Sequence, residues 1–172
     1  MDQDARDHKA AVRSGVLAPA TYGCGRAVRL DPDLYAADVP IHLTICAETG
    51  HPFVNDEVAR MVCQSVETSA AMLSQRLLAY CLMPDHLHIV LSPADSQTQV
   101  SEFLGKFKSF TTNRYGKTTG GLRLWQYSAR DRVIRKGENL ATVVEYVANN
   151  PVQRGLVRYW SDWPYTKVFI DL

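Results

Sequence analysis

Long apolar runs are missing from this chain: no stretch approaches the ~20 residues that a membrane-spanning helix requires, so no membrane partner is expected. Cysteine is sparse and poorly spaced for metal. Cys24, Cys46, Cys63 and Cys81 form no C-x-x-C pair, which argues against a structural zinc site. Three of the four sit among apolar residues, where a free thiol behaves as a small hydrophobe. Reduced cysteines suit the cytoplasm, and the opening MDQDARDHKA lacks the basic-then-apolar layout of a signal peptide, so a cytoplasmic location is expected. Ten glycines and eight prolines are too few for a collagen-like or wholly disordered chain. No P-loop, G-x-G-x-x-G or G-x-S-x-G occurs. What is present is 172 residues at 46% apolar content, enough for one domain with a real core and short for two.

The net charge of +1 conceals an asymmetry. Residues 1–100 carry 7 Lys+Arg against 12 Asp+Glu, or −5, whereas residues 101–172 carry 12 against 6, or +6. A basic half suits a polyanion such as nucleic acid, although a merely solvated surface has the same composition.

Residues 1–39 are polar and irregular and read as an N-terminal arm; residues 40–172 read as a single domain. From Ile41 to Cys46 apolar residues alternate with His42 and Thr44, the pattern of a strand with one buried face. Helical spacing then runs over 54–73. Strands are expected at about 77–83 and 86–91, joined so tightly by Pro84-Asp85 that they must form an antiparallel hairpin. A second helix is expected over 98–115, with Val100, Phe103, Leu104, Phe107 and Thr111 as its stripe, then a short strand or irregular crossing through 124–135. A third helix is expected over about 138–149, stopping at Pro151. The order β-α-β-β-α-β-α implies an α+β, ferredoxin-like sandwich, an antiparallel sheet with helices packed on one face.

The sharpest chemical signal is His86-Leu87-His88. Residues i and i+2 of a strand share a face, so both imidazoles project together and could chelate one divalent metal, or could be two ordinary histidines on a polar face. No third histidine follows at zinc-hydrolase spacing, so further ligands would be oxygen-rich, which favours magnesium or manganese. On the third helix Tyr146 and Asn150 are i and i+4 and stack on one flank of the apolar stripe. They could reach an open metal position, or could pack at the core rim and cap the helix end. His42 shares its strand's open face with Thr44 and, if neighbouring strands pair, could approach the histidine pair, or could be an ordinary hydrogen-bonding histidine. Lys106, Lys108, Arg114 and Lys117 could contact phosphates, and Tyr159, Trp160 and Trp163 could stack on bases or close the core.

Taken together these stretches resemble a known family. YCLMPDHLHIVLSP resembles the HUH motif (His, an apolar residue, His) of single-tyrosine, IS200-like transposases; EYVANNPVQRGLV resembles the helix that carries their nucleophile. That helix and VRYWSDWPYT point to the REP-associated tyrosine transposases, and LWQYSARDRVIR resembles the family's W-Q-x-x-x-x-D-H-x-I-R stretch. The resemblance spans roughly residues 40–168, and the combination is far more specific than an H-x-H alone. It departs at Asp131-Arg132, where the family pattern has Asp-His.

The resemblance implies a role for each matching residue. His86 and His88 would be metal ligands, Asn150 the third ligand, and Tyr146 the nucleophile, with Mg2+ or Mn2+ as cofactor. The partner would be single-stranded or hairpin DNA, cleaved to a 5′-phosphotyrosine and a free 3′-OH, by a monomer or a homodimer. An unperturbed phenol, with a pKa near ~10, needs such a cation to attack a phosphodiester at neutral pH. Lys106, Lys108, Arg114 and Lys117 would line the DNA path, and Arg13, Arg26 and Arg29 of the arm could touch the hairpin. Two other functions are compatible with the residues: a catalytically idle hairpin-binding protein, and a metal hydrolase of small molecules that has no use for Tyr146.

Overall fold

The computed structural model describes residues 39–94, 99–135 and 137–171. The arm, with Arg13, Cys24, Arg26 and Arg29, lies outside the described residues apart from Val39.

Strand β1 is Ile41–Cys46, and its alternation is realised: Ile41, Leu43 and Ile45 have no exposed surface. Helix α1 (Asp56–Met72) starts where Asn55 accepts hydrogen bonds from the Glu57 and Val58 N–H groups at 3.0 and 3.2 Å. Asp56 and Glu57 then complement the positive end of the helix dipole. Strands β2 (Gln75–Leu82) and β3 (His86–Pro93) form the expected hairpin. Its turn is closed by the Met83 N–H donating to the His86 carbonyl at 2.8 Å. Helix α2 (Val100–Thr119) outruns its expected end because nothing breaks it before Gly120, which adopts the left-handed conformation that terminates helices (φ 73°). The crossing that follows contains β4 (Arg130–Val133) and a lone bridge between Ala47 and Trp125. Trp125 is buried between Phe53 and Phe107, with ring centroids 5.0 and 5.8 Å away, and its indole N–H donates to Thr111 at 2.7 Å.

Helix α3 (Leu140–Ala148) does not end the helical path at Pro151. A further turn, α4 (Asn150–Gln153), takes Pro151 in its first positions, where the missing N–H costs nothing. The i→i−4 backbone bonds continue through Gln153 to Asn149 and Arg154 to Asn150. The aromatic tail mostly closes the core. Trp163 donates to the Leu82 carbonyl at 2.9 Å and Tyr165 to Asp56 at 2.6 Å, while Tyr159 stays exposed. Just beyond, β5 (Thr166–Val168) adds an edge strand that the short, mixed sequence there does not announce.

The five strands form one antiparallel sheet in the order β4-β1-β3-β2-β5, an α+β ferredoxin-like sandwich. Leu43 pairs with Ile89 and Ile45 with Leu87, so these side chains share the face covered by the two long helices. Thr44 pairs with His88 and Cys46 with His86 on the opposite face. Helix α3 reaches over that second face, where the Tyr146 ring lies 6.4 Å from the rings of both His42 and His88. No helix among the described residues is long and apolar enough to cross a membrane.

Candidate active site

The site is built on the central strand β3. His86 and His88 are buried, and their Nε2 atoms face each other at 3.1 Å with the rings nearly perpendicular. Each Nδ1 is held from behind. That of His86 lies 2.6 Å from the Asp85 carboxylate, and that of His88 lies 3.1 Å from both His42 Nε2 and Thr44 Oγ1. Asp85 is itself fixed by the loop leaving β1, because the Ala47 N–H donates to its carbonyl at 2.8 Å and the Phe53 N–H donates to Pro84 at 3.2 Å.

Burial favours the neutral form of the His88 and His42 imidazoles. Burial holds His88 well below the ordinary imidazole range; the neighbouring His86 and His42 and the charge of Arg154 push the same way, against a hydrogen bond with Asn150. Burial, and secondarily Arg132 paired beside it on β4, lowers His42 to about 4. For Asp85 burial opposes ionisation, but the hydrogen bond and charge of His86, with His51 and Arg154, hold the carboxyl below its usual range.

Asn150 is buried beside this cluster. Its Nδ2 donates to the Tyr146 carbonyl at 2.9 Å and the Val147 carbonyl at 3.3 Å, and its side chain also hydrogen-bonds His88. The amide thus satisfies carbonyls at the helix end and lies beside His88 at once. Tyr146, one turn earlier, is half exposed.

These residues fit a divalent cation. Two nitrogen donors about 3 Å apart match adjacent positions on an ion with bonds near 2.1 Å. Neutral imidazoles are the ligating form, and an outer partner on each Nδ1 is the usual support. Among the described residues no three His, Cys, Asp or Glu side chains gather as a metal set, so any third protein donor would be of another type, for which the Asn150 amide is the candidate.

The basic residues are placed differently. Lys106, Lys108, Arg114 and Lys117 all ride on α2, across the sheet from the histidines. Lys106 pairs with Glu102 at 2.7 Å, and Arg114 lies over the Phe110 ring at 5.7 Å. Lys117 is exposed. Lys108 turns inward, donating to the carbonyls of Gln126 and Tyr127 at 2.5 and 2.9 Å, and so ties the crossing segment to the helix. Arg132, standing where the family pattern has histidine, pairs with Glu138. Sequence reasoning missed Asp85 as the His86 partner and Arg154 as the cation nearby; the only available signals were adjacency to the first histidine and an i+4 step from Asn150.

The family model described as "Transposase IS200 like" matches residues 36–150. The chain belongs to that family. Two curated relatives carry the description REP-associated tyrosine transposase. The one from Haemophilus influenzae, whose assignment is provisional, is 29% identical over 107 residues, covering 55% of this chain and 60% of that protein. The one from Escherichia coli is 26% identical over 94 residues, covering 55% of this chain and 54% of that protein. The matches thus span little more than half the length of these relatives. Among solved structures, a REP-associated tyrosine transposase bound to a REP hairpin has the same fold, with a TM-score of 0.64 at 19% identity over 77% of this chain and 78% of that one.

Proposed function

We propose that the chain is a metal-dependent single-stranded DNA transesterase of transposase type, which recognises hairpin DNA, cleaves a strand beside it and rejoins strands. The observation that carries this reading is the convergence of His86 Nε2 and His88 Nε2 at 3.1 Å beside the half-exposed ring of Tyr146. Family membership and the hairpin bound to the structural relative support it.

In this reading His86, His88 and the Asn150 amide hold Mg2+ or Mn2+, which when bound would withdraw charge from the phosphate oxygens. Tyr146 Oη forms a bond to phosphorus as the P–O3′ bond breaks. The phenolic proton passes to solvent, and the leaving oxygen takes one up as a 3′-OH. The 5′-phosphotyrosine conserves the ester, so attack by another 3′-OH joins strands without an external energy source. Helix α3 brings Tyr146 to the histidines of its own chain, so a monomer would carry the full set. The exposed Arg114 and Lys117 would meet DNA on the α2 side, away from the cleavage point.

The test incubates the full chain and Mn2+ or Mg2+ with labelled single-stranded oligonucleotides drawn from hairpin repeats beside its gene, then runs a denaturing gel. The expected result is a protein-linked band that vanishes in Tyr146→Phe, in His86→Ala and with a chelator. Cleavage without an adduct would assign the attack to water. Tight, salt-sensitive hairpin binding with no cleavage would leave a catalytically idle DNA-binding protein.

A further inference from the structure

We infer that His42 is a positioning residue for His88: its Nε2, 3.1 Å from His88 Nδ1, holds that ring in the tautomer whose Nε2 lone pair faces His86, with Thr44 Oγ1 sharing the contact. The inference rests on the reading of His86 and His88 as metal ligands.

The two histidines solve one problem in different ways. A ring nitrogen that binds a cation cannot carry a proton, so the other nitrogen must be the N–H and needs an acceptor. His86 has an anion for this purpose, Asp85 at 2.6 Å. The Nδ1 of His88 faces instead a second imidazole and a hydroxyl, both from the neighbouring strand β1. In the tautomer that carries its own proton on Nδ1, His42 presents Nε2 as an acceptor. Thr44, paired directly opposite His88, can accept or donate and so does not discriminate between tautomers unaided. In that tautomer His42 accepts the His88 Nδ1–H and leaves the Nε2 lone pair of His88 for the cation. It also stands edge-on to the Tyr146 ring, centroids 6.4 Å apart at 74°, so one side chain touches both a ligand and the tyrosine.

The test titrates Mn2+ into the full-length protein, reading free ion by electron paramagnetic resonance, for the wild type, His86→Ala, His42→Phe and His42→Gln. His42→Phe is expected to weaken Mn2+ about 10–100-fold, the usual cost of losing an outer-shell partner. His42→Gln, whose amide oxygen can accept near the position of Nε2, is expected to recover most of that loss. His86→Ala, which removes a ligand, should weaken binding further. In parallel, long-range 1H–15N spectra of the wild type with Mg2+ should show His88 protonated at Nδ1, a readout that survives even if a variant fails to fold. Wild-type Mn2+ affinity in His42→Phe, with binding lost in His86→Ala, would overturn the role of His42 and keep the ligands. A proton on His88 Nε2 with Mg2+ bound would overturn it too. Unchanged binding in His86→Ala would instead reject the ligand assignment beneath it.

Discussion

The two faces of strand β3 show how one strand can serve stability and chemistry separately. On one face Leu87, Ile89 and Leu91 have no exposed surface and pack with Leu43, Ile45 and the two long helices, a dry core in which the groups are interchangeable apolar volume. On the other, His86 and His88 are nearly as buried but are surrounded by named polar partners: Asp85, Thr44, His42 and Asn150. Buried polar groups on the second face are held in one arrangement because each unsatisfied atom would cost about 1–3 kcal/mol. The dry face anchors the strand; the histidine face is held by the turn at Asp85, by His42 and Thr44 of β1 and by the helix end at Asn150.

The largest contrast should come from Tyr146→Phe. Removing the hydroxyl of a half-exposed ring leaves packing intact, so chemical denaturation should place its stability within about 0.5 kcal/mol of the wild type. If Tyr146 is the nucleophile, adduct formation should fall by roughly 10³-fold or more, the usual cost of removing one from a covalent enzyme. Ile89→Ala should do the reverse: a loss of about 2–5 kcal/mol in urea unfolding, with Mn2+ affinity kept under conditions where the protein is folded. If Ile89→Ala abolished metal binding while still folded, the two faces would not be separable.

Much of this was legible in the residues because period two is unforgiving. The alternation in Ile41–Cys46 and His86–Leu91 assigns each side chain to a face, and the tight Pro84-Asp85 turn leaves only a hairpin. Tyr146 and Asn150 stack because they are one helical turn apart. What was not legible depended on register between strands far apart in sequence. That Thr44 lies opposite His88, and His42 opposite Arg132, follows from how β1 pairs with β3 and β4, which no local pattern encodes. Strand β5 escaped because its three residues are recruited by the open edge of β2. Helix continuation past Pro151 escaped because a proline stops one turn and starts another equally well. The lysines of α2 look alike in sequence, yet Lys108 folds inward onto two carbonyls and Lys117 does not.

That last difference gives a smaller test of the same separation. Lys108→Met removes a charged donor from the Gln126 and Tyr127 carbonyls and should cost about 1–2 kcal/mol of stability. Lys117→Ala should change stability by less than about 0.5 kcal/mol. If α2 does meet DNA, it should also reduce the salt dependence of hairpin binding by about one phosphate contact. Measuring both quantities for both variants separates a lysine that braces the fold from one that faces the polyanion.

A pH-dependent effect belongs to the apolar core beneath α1. Burial raises the Cys63 thiol, on α1, from about 9 to about 12, with Cys81 nearby adding to the rise and a hydrogen bond with Tyr80 opposing it. The folded state therefore keeps this proton after the unfolded chain has released it. More protons bound to the native form means that stability falls as pH rises. The contribution is fully present below pH 9 and drains away between about 9 and 12, amounting to about 1 kcal/mol by pH 10. Tyr80, also raised by its burial, extends the same trend at higher pH. Denaturant titrations at pH 7, 8, 9 and 10 should show the decline, and Cys63→Ala should reduce it by about half, because burial raises the Cys81 thiol to about 12 as well. A decline of equal slope in Cys63→Ala would move the alkaline sensitivity to another group and leave the apolar core beneath α1 electrostatically silent in this range.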